Sequence, residues 1–313
     1  MKKLKLIMMS LMLLTPFNVF AYSDYVIPGG DNIGIELNLD GLLITGFYKV
    51  DGRYNYNGLK IGDYITHVNG IEISDANHFI ELTHGEKKVK LTVRRNDDIL
   101  EYDFNIVDNK TGIYVKDDIT GIGTLTYIDP SNNIFGALGH EIVDGSTRES
   151  VSMSDGVIFR SDVTGIDRSV DGNPGTKNAK FYYSEEYGEI DKNTDYGIYG
   201  EYSVDTNRNL IEVAESHEIK LGKAYIRTEL DEEIKLYEIK IVKINEFSDT
   251  KNIQFEIVDE SLLSKCGGIV QGMSGSPIIQ NNKLIGAVTH VLKEDVSSGY
   301  GVFITTMLET GEK

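Results

Sequence analysis

The chain has 313 residues, 49 of them acidic and 31 basic, for a formal net charge of -18 at pH 7. That length can hold two domains with full cores, while the acidity excludes nucleic-acid binding, which needs a basic footprint, and simple adhesion to anionic lipid. The single cysteine, Cys266, excludes an intrachain disulfide and reads as buried packing; without a second cysteine or a dense His/Cys cluster, neither a metal site nor a cofactor is expected.

At the N-terminus Lys2, Lys3 and Lys5 precede an apolar stretch from Leu6 to Phe20, and Val19-Phe20-Ala21 resembles a signal-peptidase site. Ser10, Thr15, Pro16 and Asn18 interrupt a stretch already shorter than the ~20 residues that span a bilayer comfortably. Residues 1–21 therefore read as a signal peptide or N-terminal membrane anchor, and export is expected, with cleavage after Ala21.

Residues 22–108 alternate short strands with turns. The segment Gly58-Leu59-Lys60-Ile61-Gly62-Asp63-Tyr64-Ile65-Thr66-His67-Val68-Asn69-Gly70 resembles a PDZ domain, an α+β module, with a strand running to the Asn69-Gly70 turn. Upstream, Ile33, Gly34, Ile35, Glu36 and Leu37 match the PDZ loop whose amides capture a peptide C-terminus. Peptide C-termini, or the chain's own N-terminal segment, are the partners this implies. A helix from Ser74 to Thr83 and a hairpin from Lys88 to Val107 complete the expected module.

From Asp108 onward short apolar runs between Gly, Asn and Asp turns predict an all-β region. Residues 161–205, rich in Gly, Asn, Asp and Tyr, are expected to form extended loops over a cleft. The hairpin from Gly123 to Gly139 ends at His140. Of the six histidines, His67, His78 and His84 lie in the N-terminal module and His217 in a charged stretch, which leaves His140 and His290 as candidates for chemistry.

Gly272-Met273-Ser274-Gly275-Ser276-Pro277 is built to present a nucleophile, because two glycines let the backbone turn tightly around Ser274. The G-x-S-x-G elbow is not met, since its fifth position is Ser276, and a hairpin rather than a helix follows. A serine ahead of a hairpin resembles the G-[DN]-S-G-G-P region of chymotrypsin-like proteases, which need a histidine base and an orienting carboxylate. Backbone N–H groups of Gly272 and Ser274 are the expected oxyanion donors. Met273 stands where many digestive relatives carry an aspartate, so regulation through that salt bridge is not expected.

Gly136-Ala137-Leu138-Gly139-His140, the run Gly267 to Pro277, and Gly286-Ala287-Val288-Thr289-His290-Val291 together resemble the stage IV sporulation protein B peptidases, PDZ-containing serine peptidases of endospore formers. The resemblance implies His140 as general base and Ser274 as nucleophile. It also points to Asp259 as the third member, in the order His, Asp, Ser, with Glu260 and Asp249 as rivals. His290 is either packing at a strand end or part of the pocket for the side chain preceding the cut. The implied fold is mainly β: a PDZ domain over residues 22–108, then a chymotrypsin-like double β-barrel serine protease domain over 109–313. The implied activity is that of an exported, self-cleaving serine endopeptidase acting on sporulation proteins at the forespore or mother-cell membrane, upstream of sigma-factor maturation. The alternatives are an envelope quality-control protease of the HtrA type, which usually carries PDZ domains after the protease, and an inactive PDZ scaffold.

Overall fold

A computed structural model describes residues 22–204, 207–231 and 233–312. The expected leader, residues 1–21, lies outside the described residues. Among the described residues no helix is long and apolar enough to cross a membrane.

Strands β1 (Tyr25–Pro28) and β2 (Asn32–Phe47) come first. Beyond residue 41, β2 enters a small α+β unit with β3 (Tyr64–Val68), β4 (Ile71–Glu72), helix α1 (Ala76–Thr83), β5 (Lys88–Arg95) and β6 (Asp98–Asn105). The unit has its own core, including Leu42, Ile65, Phe79, Leu91 and Phe104. The helix begins where the Asp75 carboxylate accepts the His78 N–H, a side-chain N-cap. Asn69 and Gly70 take positive φ in the turn between β3 and β4.

The first part of β2 corrects the reading of Ile33–Leu37. These residues form no loop: Ile33, Gly34, Ile35, Glu36 and Leu37 lie in strand, paired on both sides, so their amides serve a sheet ladder and cannot cradle a carboxylate. Ile33, Ile35 and Leu37 belong to the core of the following barrel, so the cores do not divide at residue 108.

That barrel continues with β7 (Ile113–Asp129), β8 (Ile134–Ala137), β9 (Met153–Asp167), β10 (Thr176–Glu189), β11 (Lys192–Thr194) and β12 (Gly197–Glu201). Pairing runs β7–β2–β9–β10, then β12–β8–β7, and a Gly188–Tyr202 bridge closes the ring. The expectation of extended loops over 161–205 is therefore corrected, because most of this segment forms β9 to β12. Its polar composition misled because β10 is largely half-exposed and carries register shifts against β9, so it lacks clean alternation.

The second barrel follows β13 (Ile211–Val213) and contains β14 (Gly222–Glu229), β15 (Ile234–Ile244), β16 (Ile253–Ile257), β17 (Pro277–Gln280), β18 (Lys283–Leu292) and β19 (Asp295–Phe303). Its ring is β14–β15–β16–β19–β18–β17–β14, antiparallel throughout. Helix α2 (Glu260–Cys266) joins β16 to the serine loop, and α3 (Ile304–Glu312) ends the described chain. Met307 and Leu308 of α3, Tyr127 of the first barrel and Ala287 of the second share one buried cluster between the barrels.

Candidate active site

The site is assembled around one residue of β7. The Thr124 N–H donates to Ser274 O at 2.9 Å, its carbonyl accepts the Leu138 N–H at 3.4 Å, and its Oγ1 donates to Gly272 O at 2.7 Å. Thr126 Oγ1 donates to Gly275 O at 2.7 Å. The serine loop of the second barrel is thus tied to a strand of the first. Gly275 sits at φ 90°, and a Cβ there would lie 2.1 Å from Thr124 O, so only glycine allows this approach. Gly272 also has positive φ, and among the described residues neither its N–H nor that of Ser274 donates a hydrogen bond. Both are free to serve the oxyanion role expected of them.

His140 is launched from β8 by a strained turn. Gly139 N–H returns to Ala137 O at 2.9 Å with Leu138 at φ 69°, the pattern of a γ-turn that side-chain-bearing residues seldom adopt. The His140 Nδ1 lies 2.8 Å from Glu141 O. A carbonyl only accepts, so Nδ1 carries the proton and Nε2 keeps its lone pair, the tautomer a general base requires. Burial lowers the His140 pKa, against the opposing pull of the Glu141 carbonyl and charge.

Two cavities meet at His140. One, of about 450 Å³, is shared with Ser274 and Gly272 and walled largely by aliphatic side chains. In it the structure brings His140 and Ser274 together, although Ser274 Oγ itself donates to Thr289 O at 3.2 Å. The other, of about 530 Å³, is lined by Glu141, Asp195, Tyr196, Asp249, Thr250 and His290. The His290 ring lies 5.4 Å from that of His140, centroid to centroid, and remains exposed on one side. Desolvation of its packed edge, with the His140 and Lys251 charges, pushes its pKa down to about 4.

Asp259 is not brought to His140. It is the N-cap of α2: its Oδ1 accepts the Ser261 and Leu262 N–H groups and the Ser261 hydroxyl, and its Oδ2 accepts the Glu238 N–H. Burial pushes its pKa up, but the bonds from Ser261, Leu262 and Glu238 outweigh that and hold the carboxyl below its usual range. Sequence order alone cannot separate a capping Asp-x-x-Leu from a triad member, and here the cap of α2 and the Glu238 N–H of β15 account for the bonds the carboxylate makes. Its rival Glu260 lies in the first turn of α2, whereas Asp249 does line the cavity beside His140.

Three contributors were not anticipated. Asp195 occupies the turn between β11 and β12, and β12 pairs with β8, which ends just before His140. Thr124 carried no distinct signal, being one of three threonines, with Thr120 and Thr126, in a strand that also holds Lys116, Asp117 and Asp118, and only the structure shows Thr124 and Thr126 fully buried. Lys177 carried none: it is 2 % exposed, its Nζ donates to Asn32 Oδ1 at 2.7 Å and Thr228 Oγ1 at 3.1 Å, and its stem backs Gly272. Burial pushes its pKa down to about 7, opposed by Cys266 and Glu229. Cys266 is fully buried in the second core and its thiol pKa is raised by desolvation, the packing role expected of it.

Arranged in this way, a hydroxyl, a neutral imidazole and two unpaired amides can perform acyl transfer. The profile of a family described as SpoIVB peptidase S55 matches residues 107–308. Among solved structures, the inactive form of the Rv3671c protease shares 14% identity, over 61% of this chain and 82% of that one, with a TM-score of 0.34. The active form of the same protease, from M. tuberculosis, shares 13% identity over 59% of this chain and 70% of that one, with a TM-score of 0.35. No curated protein matches the chain.

Proposed function

The chain belongs to the SpoIVB peptidase S55 family and is a serine peptidase, and we propose that it is an exported endopeptidase of endospore formation acting through Ser274 and His140. The observation that carries the residue assignment is the Thr124 junction, which suspends the Ser274 loop and the turn before His140 from one residue. For attack, Ser274 Oγ leaves the Thr289 carbonyl and gives its proton to His140 Nε2 as it bonds to the substrate carbonyl. The oxyanion forms against the Gly272 and Ser274 N–H groups, and His140 returns the proton to the leaving amine. Glu141 O holds the Nδ1 proton throughout, while Asp195 and Asp249 supply negative charge in the cavity beside the imidazolium. The exposed face of His290 contacts the part of the substrate that precedes the cut.

Substrates of this reading are membrane or intermembrane-space proteins of the sporulating cell, including a regulator of sigma-factor maturation and the enzyme's own N-terminal segment. Its support is the family membership together with the leader-like composition of residues 1–21. The α+β unit inserted between β2 and β7, whose Gly58–Gly70 run resembles PDZ domains, would present such segments to the cleft. The test is mapping of N-termini among exported proteins in sporulating cells carrying the wild-type or the Ser274→Ala chain. Substrates and the self-processed form should lose their new N-termini in the variant, and purified Ser274→Ala and His140→Ala proteins should fold yet cleave nothing. Normal cleavage by Ser274→Ala would sink the assignment; identical N-termini in both cell types would remove the sporulation substrates and self-processing.

A further inference from the structure

The chain reaches Ser274 through a tight turn. The Met273 N–H donates to Val270 O at 3.1 Å, and within that turn Gly272 has φ 93° while Gln271 before it keeps negative φ. This is the type II form, which places glycine third. Its middle peptide joins Gln271 to Gly272 and so carries the N–H expected to meet the oxyanion. A type I turn would keep the same ends with this peptide turned over, aiming Gln271 O where the Gly272 N–H now points.

Lys177 distinguishes the two forms. Its main-chain N–H donates to Gln271 O at 3.0 Å, and the Gln271 N–H donates to Gly175 O at 2.8 Å. In a planar trans peptide the C=O and N–H point opposite ways, so holding Gln271 O against β10 sends the Gly272 N–H to the other side, where it meets no protein acceptor. The side chain reinforces this bond. Lys177 Cδ and Cβ stand 3.2 and 3.3 Å from where a Gly272 Cβ would sit, with Ile122 Cγ2 at 3.3 Å. The stem cannot swing clear, because Nζ is tethered to Asn32 of the first barrel and Thr228 of the second. Asn32 Oδ1 only accepts whereas Thr228 Oγ1 can also donate, so these partners suit an uncharged amine.

We infer that Lys177 is a positioning residue of the oxyanion hole, its main-chain N–H and tethered stem holding the Gln271–Gly272 peptide in the form that presents the Gly272 N–H to the substrate carbonyl. The inference rests on the serine-peptidase reading of Ser274 and His140, and its test separates the two. The probes are a peptide aldehyde and the alcohol of the same sequence. With the aldehyde, Ser274 Oγ bonds to the carbonyl carbon, the C=O π pair moves onto oxygen, and the serine proton passes to His140, so affinity reports the oxyanion hole. The alcohol has no carbonyl to attack and reports ground-state binding alone.

Lys177→Met keeps the bulk of the stem and removes both tethers. It should lower aldehyde affinity, and kcat on a peptide arylamide, each at least about tenfold, with alcohol affinity and KM within about twofold of wild type. Thr228→Val removes one tether with little change of shape; it should lower aldehyde affinity by less, and adding it to Lys177→Met should bring no further loss. Aldehyde and alcohol affinities that fall together, or that both stay at wild-type values in folded Lys177→Met, overturn the inference and leave the peptidase reading standing. Should Lys177→Met not fold, unchanged aldehyde affinity in Thr228→Val overturns it in the same way. Aldehyde binding to Ser274→Ala as tight as to the wild type overturns the peptidase reading and this inference with it.

Discussion

At the scale of single residues, the site depends on which atom each polar group satisfies. His140 and Ser274, which line one cavity, were legible as candidates because a serine between two glycines and a histidine at a strand end are local patterns. The partner of His140 was not, since a carboxylate's role depends on what lies across space: Asp259 is spent on a helix cap, whereas Asp195 and Asp249 reach the His140 cavity from separate turns. The burial of His140 has a measurable consequence. Its pKa lies below the ordinary 6.5, so the neutral base persists to lower pH and activity falls only as pH drops through that depressed value. The acidic limb of a kcat/KM profile should therefore have its midpoint below pH 6.5; a midpoint at or above that value would show that the free enzyme does not desolvate the base.

Among the elements, β7 does the organising. One end belongs to the inserted α+β unit, its middle to the first barrel, and Thr124 and Thr126 hold the serine loop. Because those bonds require the loop backbone to touch β7, Gly275→Ala should be costly twice over, through a side chain at φ 90° and through a Cβ 2.1 Å from Thr124 O. The expected loss is about 2 kcal/mol or more of stability, together with most of the activity as Ser274 is pushed from the cleft. Denaturant titration and peptide hydrolysis check this, and a variant with wild-type values in both would contradict the arrangement. The hairpin after Ser274 was legible from two apolar runs around a polar turn, whereas β2 was misread because GIEL reads equally well as a loop motif or as a strand buried on both sides.

Across the whole molecule, the two barrels are joined by an apolar cluster and by one buried lysine. Lys177, on β10, reaches Asn32 of β2 in its own barrel and Thr228 of β14 in the other. Its ordinary pKa of 10.5 falls to about 7 in the folded protein. Between those values the unfolded chain binds the proton and the folded chain does not, so folding stability rises with pH across that window. The penalty of burying the ammonium is fully present below about pH 7 and gone above 10.5. Urea unfolding of wild type and Lys177→Met at pH 7 and pH 10 should show the wild type gaining stability relative to the variant, on the order of a few kcal/mol. A constant difference between the two proteins would mean that Lys177 is not desolvated.

The sequence by itself determined the mainly β character, the glycine-flanked turn that carries Ser274, the strand end that carries His140 and the buried state of Cys266, because each is written in local alternation, in glycine spacing or in composition. Only the tertiary structure decided that Ile33–Leu37 form a barrel strand, that Asp259 caps a helix, and that Thr124, Asp195 and Lys177 meet the site. Those roles rest on contacts between segments far apart in the chain, and whether a polar group is spent on a neighbour or left facing a cavity is settled only when the barrels close.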